Sequence, residues 1–69
     1  MQTYALLYIG GGVLHDVEQC NDFDTLEAQA KTFVKWQEGD EPGSHDNDAH
    51  ILSIQVTPTG ISVDWIANY

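Results

Sequence analysis

The chain has 69 residues, enough for one domain near the lower size limit for a core unsupported by metals or disulfides. Eleven Asp or Glu stand against two lysines and no arginine, a formal charge of −9, while 42% of residues are apolar. That balance excludes direct nucleic-acid binding through a basic patch and excludes bidentate arginine clamping of phosphate, yet it is apolar enough to fold. Thr3 to Ile9 reads as the first strand, with Thr3, Ala5, Leu7 and Ile9 on one side and Tyr4, Leu6 and Tyr8 on the other. Gly10-Gly11-Gly12 tolerates positive φ and predicts a tight hairpin, because a phosphate-cradling glycine run would have to open directly into a helix. Val13 to Cys20 alternates as a second strand with polar residues on both sides, the pattern of a sheet edge.

Phe23 to Gly39 carries the chain's one helical period: Leu26, Ala30, Phe33, Val34 and Gln37 share a face. Asp24 with Glu27 fits a capping box, Phe23 precedes the cap, and Gly39 is the expected terminator. Trp36 falls on the flank of the stripe, over a sheet margin. Asp40 to Ala49, DEPGSHDNDA, reads as a solvated acidic loop. His50 to Thr57 is a strand, Thr57-Pro58-Thr59-Gly60 a turn, and Ile61 to Ile66 the last strand, with Ile61, Val63 and Trp65 on its buried side. The order ββαββ predicts an α+β domain spanning residues 1–69: a four-stranded antiparallel sheet with one helix packed on one face. Strand order across the middle stays open.

One helix covers one face. The expected uncovered face carries Tyr4, Leu6, Tyr8, Ile51, Ile66 and Leu14 beside Asp16, Glu18 and Asp64, an aromatic surface with an acidic border suited to a protein partner or self-association. A register slip of one residue would exchange the two faces. The acids form two groups, Asp16, Glu18, Asp22, Asp24 and Glu27 before and at the helix start, and Glu38, Asp40, Glu41, Asp46 and Asp48 after it. Held apart by the helix, they could imitate phosphates and enter a basic nucleic-acid channel.

Chemistry is thinly represented. His45-Asp46-Asn47-Asp48-Ala49-His50 offers nitrogen and oxygen donors for a divalent ion, but matches neither zinc spacing nor the calcium-loop pattern. His15 and Asp16 are strand neighbours and point to opposite sides, Ser44-His45 has no third orienting group, and no cofactor motif is present, so the expectation is no enzyme, no cofactor and no metal. Cys20 is the single cysteine, expected as a small strand residue in a reducing compartment. MQTYALLYIGGG has no positive n-region and too short an apolar run for a signal peptide or span, so the expected location is the cytoplasm.

In size, charge and ββαββ layout, with YALLYI, the Gly10–Gly12 hairpin, DFDTLEAQAKTFVKW and GDEPGSHDNDAH, the chain resembles the small acidic anti-CRISPR proteins of phages and mobile elements. The resemblance implies a stoichiometric, non-enzymatic inhibitor that binds a CRISPR-Cas DNA-targeting effector of the Cascade type and blocks target DNA or PAM binding. The residues expected at such an interface are Asp16, Glu18, Asp22, Asp24, Asp40, Glu41, Asp46, Asp48, Asp64, Tyr4 and Tyr8. The competing expectations are a self-associating structural or regulatory protein joined through the uncovered sheet face, and a divalent-metal module built on the His45–His50 loop.

Overall fold

The computed structural model describes residues 2–69, with Gln2 through its backbone alone. Four strands, β1 (Gln2–Gly10), β2 (Val13–Cys20), β3 (Asn47–Thr57) and β4 (Gly60–Asn68), and one helix, α1 (Phe23–Val34), follow in the order ββαββ. The sheet is antiparallel throughout, in the order β2-β1-β3-β4, so the α1 connection returns the chain beside β1 and leaves β2 and β4 as edges. The α+β expectation holds.

The β1–β2 turn works as the glycines require: Gly11 and Gly12 both have positive φ, 61° and 79°, and Gly10 pairs with Val13 across it. A Cβ on Gly10 would come within 2.9 Å of both the Asn47 Oδ1 and the His15 Nε2, so a side chain here would require those two side chains to move aside. Each edge strand carries one irregularity. Between Tyr8 and Ile9 the partner of β1 jumps from Asp16 to Leu14, and between Ile51 and Leu52 the partner of β3 jumps from Ala67 to Trp65. His15 and Ile66 are the extra residues at these bulges.

The helix is shorter than its sequence pattern. Asp22, not Asp24, is the N-cap: its carboxylate accepts the Asp24 N–H at 3.1 Å and the Thr25 hydroxyl at 2.8 Å. Glu27 is free of any capping box and turns to the other side of the helix. The end comes at Lys35, in the left-handed conformation with φ 59°, where Trp36 N–H bonds the Lys31 carbonyl at 2.8 Å and Lys35 N–H bonds that of Thr32 at 3.3 Å. That pair of bonds is a Schellman closure made without glycine. Gly39 instead serves a later turn, Gln37 to Asp40, with φ 89°; Gly43 does the same in Glu41 to Ser44, with φ 81°. Both have the sequence and geometry of type II turns, the second with Pro42 at its preferred position.

The core lies between α1 and the two central strands. Leu26, Ala30 and Val34 meet Leu6, Ala49 and Ile51, all essentially inaccessible, with Tyr69 closing one side. Tyr4 stacks edge-on against Phe23 at 5.7 Å and Tyr8 against Phe33 at 4.9 Å, so α1 runs along β1. These contacts correct the expected faces. Tyr4, Leu6, Tyr8 and Ile51 lie under the helix, while Leu52, Ile54, Val56, Ile61, Val63 and Trp65 line the uncovered side. At about 1.5 Å per residue the twelve-residue helix spans about 18 Å, and the polar residues on its side of the sheet, Gln55, Thr57 and Ser62, lie on the β3–β4 hairpin away from the core it covers.

Candidate interaction surfaces

Because α1 rests on β1 and β3, it leaves the helix-facing side of β2 unroofed. Asp16 pairs with Tyr8, Glu18 with Leu6 and Cys20 with Tyr4, so all three side chains share that side, and Asp22 continues the line at the helix cap. Alternate residues on a strand are about 6.6 Å apart. The Asp16–Glu18 pair therefore has about half the charge density of one DNA strand, which carries a charge every ~3.4 Å along its axis. Between this margin and the helix runs an open groove of about 390 Å³ lined by Tyr8, Glu18, Ala28, Gln29, Thr32 and Phe33. The Tyr8 hydroxyl donates to Gln29 Oε1 at 3.3 Å on its wall. Burial, then the charge of Glu18 and its hydrogen bonding to the phenol, then the charge of Asp16, push the Tyr8 phenol up to about 12, so it stays a neutral donor.

The predicted acidic loop is an ordered connection, and it begins earlier and ends earlier than expected. β3 already starts at Asn47, which places Asp48 opposite Ile9 inside the sheet. Asp40 accepts the Gln37 N–H at 2.8 Å and pairs with the His45 ring at 2.7 Å; these contacts, the backbone one first, hold its carboxyl below the usual range. Trp36 lies outside the helix, with its ring 5.4 Å from Tyr69 and 6.2 Å from His45. Its expected place over a sheet margin is correct, although it reaches it from the connection.

The sheet regroups the acids. Asp16, beside the Tyr8 row, and Asp48, beside Ile9, come to the same end of the sheet as Asp46, near the glycine hairpin. Asp22, Asp24 and Asp64 lie toward the opposite end, in or near the row Cys20–Tyr4–Ser53–Asp64. Three carboxylates have internal tasks: Asp22 caps the helix, Asp40 staples the connection, and Glu27 accepts the Tyr69 hydroxyl at 2.9 Å while pairing with Lys31 at 3.8 Å. Asp16 accepts the neighbouring Val17 N–H at 2.8 Å. Among the described residues only Glu27 pairs with a lysine, and Asp40 with His45 when that ring is protonated, so the charges of Asp16, Glu18, Asp24, Glu38, Glu41, Asp46, Asp48 and Asp64 are uncompensated by a close cation.

Tyr4 and Tyr8, expected as exposed contact residues, are half-buried core residues. The sequence reading also missed Tyr69, which is 7% exposed and whose phenol is pushed up to about 12 by burial and then by Glu27. A lone aromatic after a strand gives no period to detect it by.

The histidines diverge. His45 joins Asp40 in the connection, whereas His50 sits on the uncovered sheet face, bonded to Asn68 Oδ1 at 2.8 Å and edge-on to Trp65 at 5.4 Å. Among the described residues no three His, Cys, Asp or Glu side chains converge in a metal-binding group. His15 Nε2 lies 3.2 Å from the Gly10 carbonyl within the hairpin. Cys20 is half-buried, its sulfur accepting the Asp22 N–H at 3.3 Å at the strand-to-helix corner. No described helix is long and apolar enough to cross a membrane. No protein-family model matches the chain, and no curated protein or solved structure does either.

Proposed function

We propose that the chain is a non-enzymatic inhibitor of a nucleic-acid-binding assembly, an anti-CRISPR protein that docks its carboxylates on the basic DNA- or PAM-reading surface of a Cascade-type effector. The observation that carries this reading is the uncompensated charge: −9 on 69 residues, with Asp16 and Glu18 in line along an open strand margin and Asp46 and Asp48 at the same end of the sheet. Such a surface is steered toward lysine- and arginine-lined channels and is repelled by DNA itself. The paired and capping carboxylates, Asp22, Glu27 and Asp40, maintain the fold; among the rest, the contact is assigned to Asp16 and Glu18 on the β2 margin with Asp46 and Asp48 at its hairpin end.

A target-DNA shift assay with purified effector tests it. Excess protein should abolish the shifted band, and Asp16→Lys with Glu18→Lys should restore it while leaving the circular dichroism of the protein unchanged. An unaltered shift at saturating protein, across effectors of the class, overturns the reading.

A further inference from the structure

The face of the sheet opposite the helix has an occupant still to be found, and the structure points to a second copy of this chain. On that face Leu7 and Ile54 are half-buried, while Val56, Ile61, Val63 and Trp65 are exposed by 74, 67, 48 and 59%. They are contiguous through the sheet register: Ile54 pairs with Val63, Val56 with Ile61, and Leu52 with Trp65. A contiguous apolar patch of this kind is often a contact surface. We infer that two copies pack these faces together as a sheet-on-sheet dimer.

Two observations select a second copy over the basic partner that the carboxylates suit. The first is charge. Of the carboxylates placed by the strand pairing, Asp16, Glu18 and Asp64 lie on the helix side, and only Asp48, at one corner opposite Ile9, belongs to the open side. A chain of charge −9 approaches its own copy most readily through the surface poorest in acids, and this face holds only Asp48 of the strand-placed carboxylates, at one corner. A basic partner would gain nothing from it. The second is area. Four strands about 4.8 Å apart, over about eight residues at ~3.3 Å each, present about 500 Å² of projected face. Two such faces cover at least about 1,000 Å², the size at which a specific interface begins. Aligned packing of two twisted sheets about 10 Å apart gives these side chains the partners that α1 gives those on the other side. Asp16 and Glu18 face the helix side of each copy, so the dimer leaves that part of the proposed effector contact accessible and doubles it, with Asp48 at the rim of the interface.

Light scattering of the intact chain from about 1 µM to about 500 µM is the test. The dimer predicts twice the monomer mass at the upper end. Val63→Glu, which puts a carboxylate from each copy into the interface, should weaken association at least about 100-fold. Val13→Glu, the same change at the exposed hairpin on the helix side, should leave it intact. Because Val63→Glu could also disturb folding, an isotope-filtered NOE experiment on a mixed-label wild-type sample provides a second readout. It should show methyl contacts between copies from Ile61 and Val63 to Leu7 or Ile54. A chain monomeric at every concentration overturns the inference, including one that engages a different apolar partner here. So does a folded Val63→Glu dimer, or intermolecular contacts confined to another face.

Discussion

The assignment of Tyr8 to the helix side of the sheet makes a quantitative prediction that the opposite assignment does not. Tyr8 faces Phe33 edge-on, ring centres 4.9 Å apart and planes at 77°, and its hydroxyl reaches Gln29. Removing a ring that contributes about 100 Å² of buried apolar surface costs about 2.5 kcal/mol at ~25 cal/mol per Å². The edge-to-face geometry contributes about 0.5–1.5 kcal/mol more. Tyr8→Ala should therefore lower unfolding stability by about 3 kcal/mol, a large fraction of the roughly 3–10 kcal/mol typical of a domain this size. Urea denaturation of Tyr8→Ala, Phe33→Ala and the double variant closes a cycle whose coupling should be about 1 kcal/mol. Were Tyr8 on the open face, its loss would cost under about 0.5 kcal/mol and the coupling would vanish. That result would refute the placement of the helix.

Three further outcomes follow from local geometry. Asp22→Ala removes both acceptors of the N-cap and should cost about 1 kcal/mol, whereas Asp24→Ala should cost less, a reversal of the order the sequence suggests. Lys35→Gly relieves a left-handed non-glycine residue and should raise the urea midpoint, by about 0.5–1 kcal/mol in stability; a loss would show that the lysine side chain matters more than its backbone. Tyr8 and Tyr69 have phenols raised to about 12 in the folded chain, so the fold favours their neutral forms. Their contribution is complete below the ordinary phenol value of 10.0 and is lost as pH rises toward about 12; Tyr8→Phe with Tyr69→Phe should flatten that alkaline decline, and tyrosinate absorbance with both phenols ionising at the ordinary value would contradict it.

The element order was legible because each element has a local signal. The paired glycines demand a turn with positive φ, Leu26, Ala30 and Val34 repeat every four residues, and Asn or Asp stands before the helix. The choice of sheet face was not legible. β1 is apolar on both sides, and β3 alternates in favour of His50, Leu52, Ile54 and Val56, which the structure leaves open to solvent at its far end. Periodicity says that a face is apolar, not what covers it, and here only the aromatic pairs Tyr4–Phe23 and Tyr8–Phe33 decide. The helix end was misplaced for a related reason. Gly39 is a sound terminator by type, but Trp36 leaves the helical path at Lys35 to meet Tyr69, a tertiary contact that overrides the local preference. The acids were visible one by one. Their grouping was not, since Asp16 and Asp48 are 32 positions apart and reach the same end of the sheet only through their shared neighbour β1.

If the carboxylates occupy the place of DNA, the protein and DNA exclude one another on the effector. Labelled protein would be titrated into a purified Cascade-type effector, once free and once preloaded with target DNA, at low and at raised salt. Binding to the free effector should weaken as salt rises, be lost on DNA preloading, and drop at least about tenfold with Asp16→Lys and Glu18→Lys. Equal binding to the free and DNA-loaded effector, indifferent to salt and to those substitutions, would contradict it.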